Sequence, residues 1–294
     1  MKKILLSSLI AVALYSCKDT GKKNADNHQK TVAQPEIHTE LYGFWVGDFV
    51  DYDSEGFEGG DYDYVKKLNL IIKKITKDTV IAQSIVLGSN RPLIGKMTED
   101  GTRISFVLDA PGKKENDGRF EFELDGDTLK GEWNAYNSKM PNPKKVFKLL
   151  KRKFVYNPDL MLPSEWTYVD WSEHAVKQQL DTLDDGKVDT TSNTFFRSAS
   201  EAIFKLNASK SLLNEAELKN LRKLDLQIIK NTIFARHGYA FTKDTYRAFF
   251  EPIEWYVPIS RNVDNDLTVI ENKNVKLIDR FIKYAEDNYD TFGR

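Results

Sequence analysis

A chain of 294 residues with 40% hydrophobic and 12% aromatic side chains is long enough to bury two cores, so two domains are expected. Its 43 basic and 44 acidic side chains leave a formal charge of -1, so no global field draws in nucleic acid and no such partner is expected. The chain has one cysteine, Cys17, so the remainder offers neither a disulfide nor a thiol nucleophile.

The N-terminus reads as an export signal: MKK supplies positive charge, ILLSSLIAVALY an apolar run too short to span a bilayer, and small Ser16 precedes Cys17. LYSC resembles the lipobox of bacterial lipoproteins, with Tyr15 where a small or aliphatic residue is usual. That resemblance implies that residues 1–17 are the signal segment with its lipobox, cut just before Cys17, which is acylated as the first residue of the mature chain. The acyl chains would hold the protein on a membrane, with the outer membrane of the bacterial envelope as the expected location. An ordinary cleaved signal peptide is the alternative. Residues 18–40 are polar and nearly free of large apolar side chains; they read as a tether able to hold a folded body about 25 Å from the bilayer.

From Leu41 the pattern becomes short alternating runs separated by turn residues, the mark of antiparallel strands. Ile104, Phe106 and Leu108 share one face of RISFVLD, and Phe120, Phe122 and Leu124 share one face of RFEFEL. Asp100-Gly101 and Asp125-Gly126 are hairpin turns, since glycine tolerates positive φ. About eight such runs occupy residues 41–155, a number that suits a closed antiparallel barrel or a flattened sandwich. Small barrels are commonly filled by their own side chains, and a filled core is expected here.

GFW, at Gly43 to Trp45, resembles the Gly-x-Trp that opens lipocalins and lipocalin-like domains. The resemblance implies that Trp45 seals one barrel end against a basic residue of a late strand, Lys151 or Arg152, and that the barrel holds a small apolar ligand. DYDSEGFEGGDYDY, residues 51–64, carries six carboxylates and four aromatics between the first two strands. Asp51, Asp53 and Glu55 fall at the first, third and fifth positions of a calcium loop, but Tyr62 stands where the bidentate glutamate belongs. A solvated acidic loop is the expected state, with no metal or other cofactor.

Residues 156–197 contain Pro158, Pro163 and the charged DTLDDGKVDTTSN and read as an irregular connection. From Ser198 to the end the period is helical, giving a small all-α domain. SASE (Ser198–Glu201), NEAE (Asn214–Glu217) and TVIE (Thr268–Glu271) read as capping boxes. In DLQIIKNTIFARHG, Leu226, Ile229, Ile233 and Phe234 form an apolar stripe and Gly238 stops the helix, with Arg236 and His237 in its last turn against the negative end of the dipole. FARHG resembles the defining motif of the YARHG domain, with Phe234 for the tyrosine, and the frame agrees: Asn231, Phe241, Phe249-Phe250, WYVP at 255–258, Leu267, Glu271 and Asn274. The resemblance implies an extracellular or envelope setting and no known activity.

Two roles stay open for this motif. Arg236 can pair with Glu271 and staple two helices together. Alternatively, Arg236, His237, Trp255 and Tyr256 can line a groove for an anionic or glycan ligand.

No HExxH, nucleophile elbow or phosphate loop is present, so a non-enzymatic protein is expected. The leading reading is a lipid-anchored envelope protein that binds or scaffolds envelope components, protein or peptidoglycan. The alternative is a lipocalin-like carrier of a small apolar ligand, and an envelope hydrolase comes third.

Overall fold

Alternating apolar residues close the first eight strands into an antiparallel barrel: β1 (Gly43–Asp51), β2 (Lys66–Ile75), β3 (Val80–Val86), β4 (Ser89–Asp100), β5 (Arg103–Asp109), β6 (Gly118–Asp125), β7 (Thr128–Ala135) and β8 (Lys144–Arg152). Each strand pairs with the next, and β8 returns to β1 from Phe44↔Arg152 to Asp51↔Lys145, leaving no open edge. The computed structural model describes residues 34–52, 65–182 and 184–288. Gly101 and Gly126 sit at φ 61° and 60°, as their hairpin turns require.

The barrel is filled from one end to its middle. Phe49, Phe106, Phe120, Phe122, Trp133 and Phe147 point inward with ring centres 4.8 to 6.5 Å apart, over Leu68, Leu70, Ile72 and Leu149. Trp45 closes this end. Its indole N–H donates to Leu41 O at 2.8 Å and the Lys151 ammonium lies 5.7 Å from its ring centre, so Lys151 is the basic partner. Arg152 turns outward to Glu254 at 3.5 Å. The barrel fits a lipocalin-like fold. The polar tether does not extend to Glu40: Ile37 N donates to Ile75 O at 3.0 Å, Glu36 bridges Thr76, and Thr39–Leu41 form a short 3-10 helix that places Leu41 in the core.

Residues 156–197 differ from the expected irregular connection. The stretch before Val169 lacks regular structure, but β9 (Val169–Thr182) and β10 (Val188–Ser198) form a long two-stranded hairpin turning through Gly186 at φ 79°. The charge of the segment hides an alternation of Val176, Leu180 and Phe196 with polar residues.

The helices are α1 (Ala202–Lys205), α2 (Glu215–Leu218), α3 (Lys223–Arg236), α4 (Asp244–Phe250) and α5 (Val269–Asn288). Asn214 and Glu217 form their capping box, as do Thr268 and Glu271. SASE does not: Ser200 gives its N–H and hydroxyl to Asp225 at 2.6 and 2.8 Å, and α1 spans a single turn. Asp225 thereby ties α1 to the start of α3, where it also accepts from Arg222 N at 3.0 Å.

Barrel and helices are fused, since the described residues from Pro35 onward form one compact unit in place of two separate bodies. The reason lies in LNLII of β2, which is apolar on both faces. Leu68, Leu70 and Ile72 fill the barrel, while Ile71 on the outside packs with Ile85, Phe44 and Ala240. Beside them the buried Lys67 ammonium donates to Ile253 O (2.6 Å) and Tyr256 O (3.1 Å), Lys67 N to Glu251 Oε2 (3.1 Å), and Asn69 Nδ2 to Pro258 O (2.7 Å).

Candidate functional site

The FARHG stretch ends α3 by the expected device. Gly238 is left-handed at φ 73°, the N–H groups of Tyr239 and Gly238 return to Phe234 O and Ala235 O at 3.0 and 2.9 Å, and Gly238 O accepts from Ile259 N at 2.7 Å. A Cβ there would stand 2.9 Å from Val257 O, so glycine serves both the φ and the close approach.

Arg236 is buried but does not pair with Glu271. Its fork takes Leu160 O (Nε 2.8 Å, Nη2 2.5 Å) and Ser209 Oγ (Nη1 2.9 Å), clamping the segment that leaves the barrel. Backbone carbonyls carry no residue identity, which is why sequence reasoning chose the wrong partner. Burial, offset in part by Glu271, lowers the guanidinium to about 10.

Glu271 is the hub of the cluster and belongs to His237. Oε2 accepts from His237 Nε2 and Thr268 N, both at 2.8 Å, and Oε1 accepts from the Tyr156 hydroxyl at 3.0 Å. Burial opposes its ionisation, yet hydrogen bonds from His237, Ser209 and Thr268 outweigh that penalty and hold the carboxyl down at about 2. An ionised carboxylate only accepts, so the His237 Nε2 carries the shared proton. Tyr156 stacks on the imidazole, with ring centres 4.3 Å and planes 16° apart; burial and then the Glu271 charge push its phenol up to about 12. No sequence signal pointed to Tyr156 or Ser209.

The other motif residues also face inward. Trp255 donates its indole N–H to Met161 O at 2.9 Å, and Tyr256, 1% exposed, donates its hydroxyl to Tyr239 O at 2.7 Å. Asn274 gives two hydrogen bonds, to Ala208 O and Ser211 O, and takes one from Leu213 N. Arg236, Trp255 and Tyr256, turned to these partners, do not form a groove wall; His237 borders a recess of about 410 Å³ shared with Phe44, Phe154 and Tyr156.

The larger recess is at the barrel end opposite Trp45. About 490 Å³ opens above Phe49, Phe120 and Trp133, walled by Val86, Ala110 and Met140. Its rim is polar, with Lys66 and Lys114 beside the ion pairs Arg91–Asp117 (2.5 Å) and Lys145–Asp51. Asp117 is wholly buried, and the N–H groups of Lys113 and Lys114 also donate to it, at 2.9 and 3.1 Å; this carboxylate shapes the loop before β6. The filled interior expected from the sequence describes the sealed half of the barrel only.

Cys17, Asp53 and Glu55 lie outside the described residues. Asp51 binds Lys145 and, at 2.8 Å, Asn142 Nδ2. Among the described residues no group of three or more His, Cys, Asp or Glu side chains could hold a metal ion, and no helix is long and apolar enough to cross a membrane.

Residues 201–283 match the YARHG domain family. They run from α1 into α5 and include Arg236, His237, Gly238 and Glu271. No curated protein and no solved structure matches the chain.

Proposed function

With the YARHG domain as premise, we propose that this chain is an envelope protein, anchored through acylated Cys17, whose barrel binds a small apolar ligand at its open end without chemical turnover. The YARHG match supports an extracytoplasmic setting. The helical domain is a brace in this reading: its motif residues are spent on internal hydrogen bonds, and it covers the outer face of β2 instead of presenting a groove.

One observation carries the reading. The barrel is stoppered by Trp45 and Lys151 at one end and has an aromatic-floored recess of about 490 Å³ at the other. Ligand pockets commonly span about 300 to 1,000 Å³, apolar within and polar at few points, which fits Phe49, Phe120 and Trp133 below a charged rim. An anionic naphthalene dye titrated into the full chain tests it. Ala110→Trp places a large ring in the recess, and a fall in dye affinity of at least about tenfold is expected. Equal binding by parent and variant, or none by the parent, refutes the reading. The anchor is tested separately, by the mass of the N-terminal peptide of protein taken from the envelope.

A further inference from the structure

One ring nitrogen of the FARHG stretch is left over. The His237 side chain is 5% exposed; it gives its Nε2 hydrogen to Glu271 Oε2, and Tyr156 covers one face of its ring. Its Nδ1 has no hydrogen-bond partner among the described residues. Nor is Nδ1 one of the side-chain atoms that are both unpartnered and shut off from solvent, which are Asn69 Oδ1, Arg197 Nε and Arg197 Nη1. The open space beside it is the recess of about 410 Å³ bordered by Phe44, Phe154 and Tyr156. Because Nε2 carries the proton shared with Glu271, Nδ1 presents a lone pair there.

The other polar groups of the lining also accept more than they donate. Ser260 spends its hydroxyl hydrogen on Asn262 O at 2.9 Å, and Tyr156 spends its own on Glu271 at 3.0 Å. Thr268 Oγ1 accepts from Glu271 N at 3.2 Å and is the one lining hydroxyl with a hydrogen still to give. Asp266 is exposed, and among the described residues its carboxylate has no partner. Arg236, the cation next in sequence, turns its fork away to Leu160 O and Ser209 Oγ. The charge at the recess is therefore negative, from Asp266 and, behind the imidazole, from Glu271. A lone pair and a carboxylate repel an anion. An ammonium group suits them, since it has three donors and no acceptor, and aromatic faces attract its charge.

We propose that this recess binds an organic ammonium ion, which donates to His237 Nδ1, faces the charge of Asp266 and lays its carbon part against Phe44 and Phe154. The site is separate from the barrel recess and has the volume of a small-molecule pocket. Its walls come from both parts of the fold: Phe44 from β1, Phe154 and Tyr156 from the segment leaving the barrel, His237 from the end of α3 and Asp266 from the turn before α5. Glu271 is a positioning residue here, holding the imidazole so that the lone pair stays turned to the ligand.

Titration of the full chain at neutral pH, followed by the nitrogen resonances of the histidine rings, tests this. Probes of one shape and different charge are compared: phenethylammonium, phenylethanol and phenylpropanoate. The ammonium should bind tightest and shift the His237 Nδ1 resonance as the lone pair accepts its hydrogen bond. Asp266→Asn should weaken the ammonium about fivefold, the upper end for an exposed ion pair, and leave phenylethanol unchanged. Ala110→Trp, which fills the barrel recess, should leave ammonium binding intact. A lysine amide acetylated at its α-nitrogen, run beside phenethylammonium, separates a peptide side chain from a free amine, and the tighter of the two names the source. An unmoved His237 resonance at the highest ammonium concentration, equal affinity for the charged and uncharged probes, or undiminished binding by Asp266→Asn overturns the proposal. Loss of binding in Ala110→Trp also overturns it, by placing the amine in the barrel.

Discussion

His237 Nε2 stands 2.8 Å from Glu271 Oε2 while Tyr156, which donates to the other oxygen of that carboxylate at 3.0 Å, stacks on the imidazole. Three parts of the chain meet there: the segment leaving the barrel, the end of α3 and the start of α5. The Arg-His-Gly run is thus a lock, with Arg236 holding the incoming segment, His237 holding α5 and Gly238 turning the chain back.

Removing the hub should unlock all three. Glu271→Ala leaves His237, Tyr156 and Thr268 N without their acceptor inside the protein, and each stranded donor costs about 1 to 3 kcal/mol. A loss of about 4 kcal/mol is expected, or about 10 °C in Tm for a domain of this size. Thermal unfolding followed by circular dichroism measures it; a shift within error of the parent contradicts the lock.

Acid should act through the same carboxylate. Its folded pKa of about 2 lies below the ordinary 4.5, so its contribution is fully present above the ordinary value and is lost as pH falls from there through the folded value. The midpoint of urea unfolding should drop between about pH 5 and about pH 2, with Glu271 alone accounting for about 3 kcal/mol at 1.36 kcal/mol per unit. Glu271→Gln should flatten that drop, and an unchanged slope would assign it to other groups.

Gly238→Ala should destabilise the helical part by about 2 kcal/mol, because φ 73° is strained for alanine and its methyl meets Val257 O at 2.9 Å. Gly126→Ala, whose Cβ meets nothing within 4 Å, should carry only the φ penalty of about 1 kcal/mol. Chemical denaturation of the two variants side by side decides it, and equal losses would show that the contact with Val257 is immaterial.

Lys67 is the joint between barrel and helices. Burial lowers its ammonium to about 8 and raises Glu251 beside it to about 7, and the charge of each offsets part of the shift of the other. Lys67→Ala takes the ammonium donor from Tyr256 O and leaves Ile253 O with Tyr256 N alone, at a cost of about 1 to 3 kcal/mol. Calorimetry should resolve one transition for the parent and two for the variant. A single variant peak would show that Ile71, Ile85 and Ala240 suffice to couple the parts.

The barrel was legible because most of its strands alternate and Asp-Gly marks two of its turns, and the YARHG frame because its motifs keep their order. Gly238 and the Thr268–Glu271 cap were legible for the same local reason. What escaped was every relationship set by tertiary contact with backbone. Arg236 reads as a carboxylate partner until Leu160 O is seen to fill its fork. Lys67 looks like a solvent-facing strand lysine until the helices bury it. The hairpin was hidden by its charge, and the recess because an aromatic-rich strand reads alike whether its rings meet one another or border open space.

The central claim, that the open end of the barrel holds a small apolar molecule, is tested most directly by native mass spectrometry of the protein purified gently from its native source. The account predicts a bound small molecule on each chain of the parent, absent from Ala110→Trp and retained by Glu271→Gln. A parent of bare mass, or an adduct carried equally by Ala110→Trp, would contradict it.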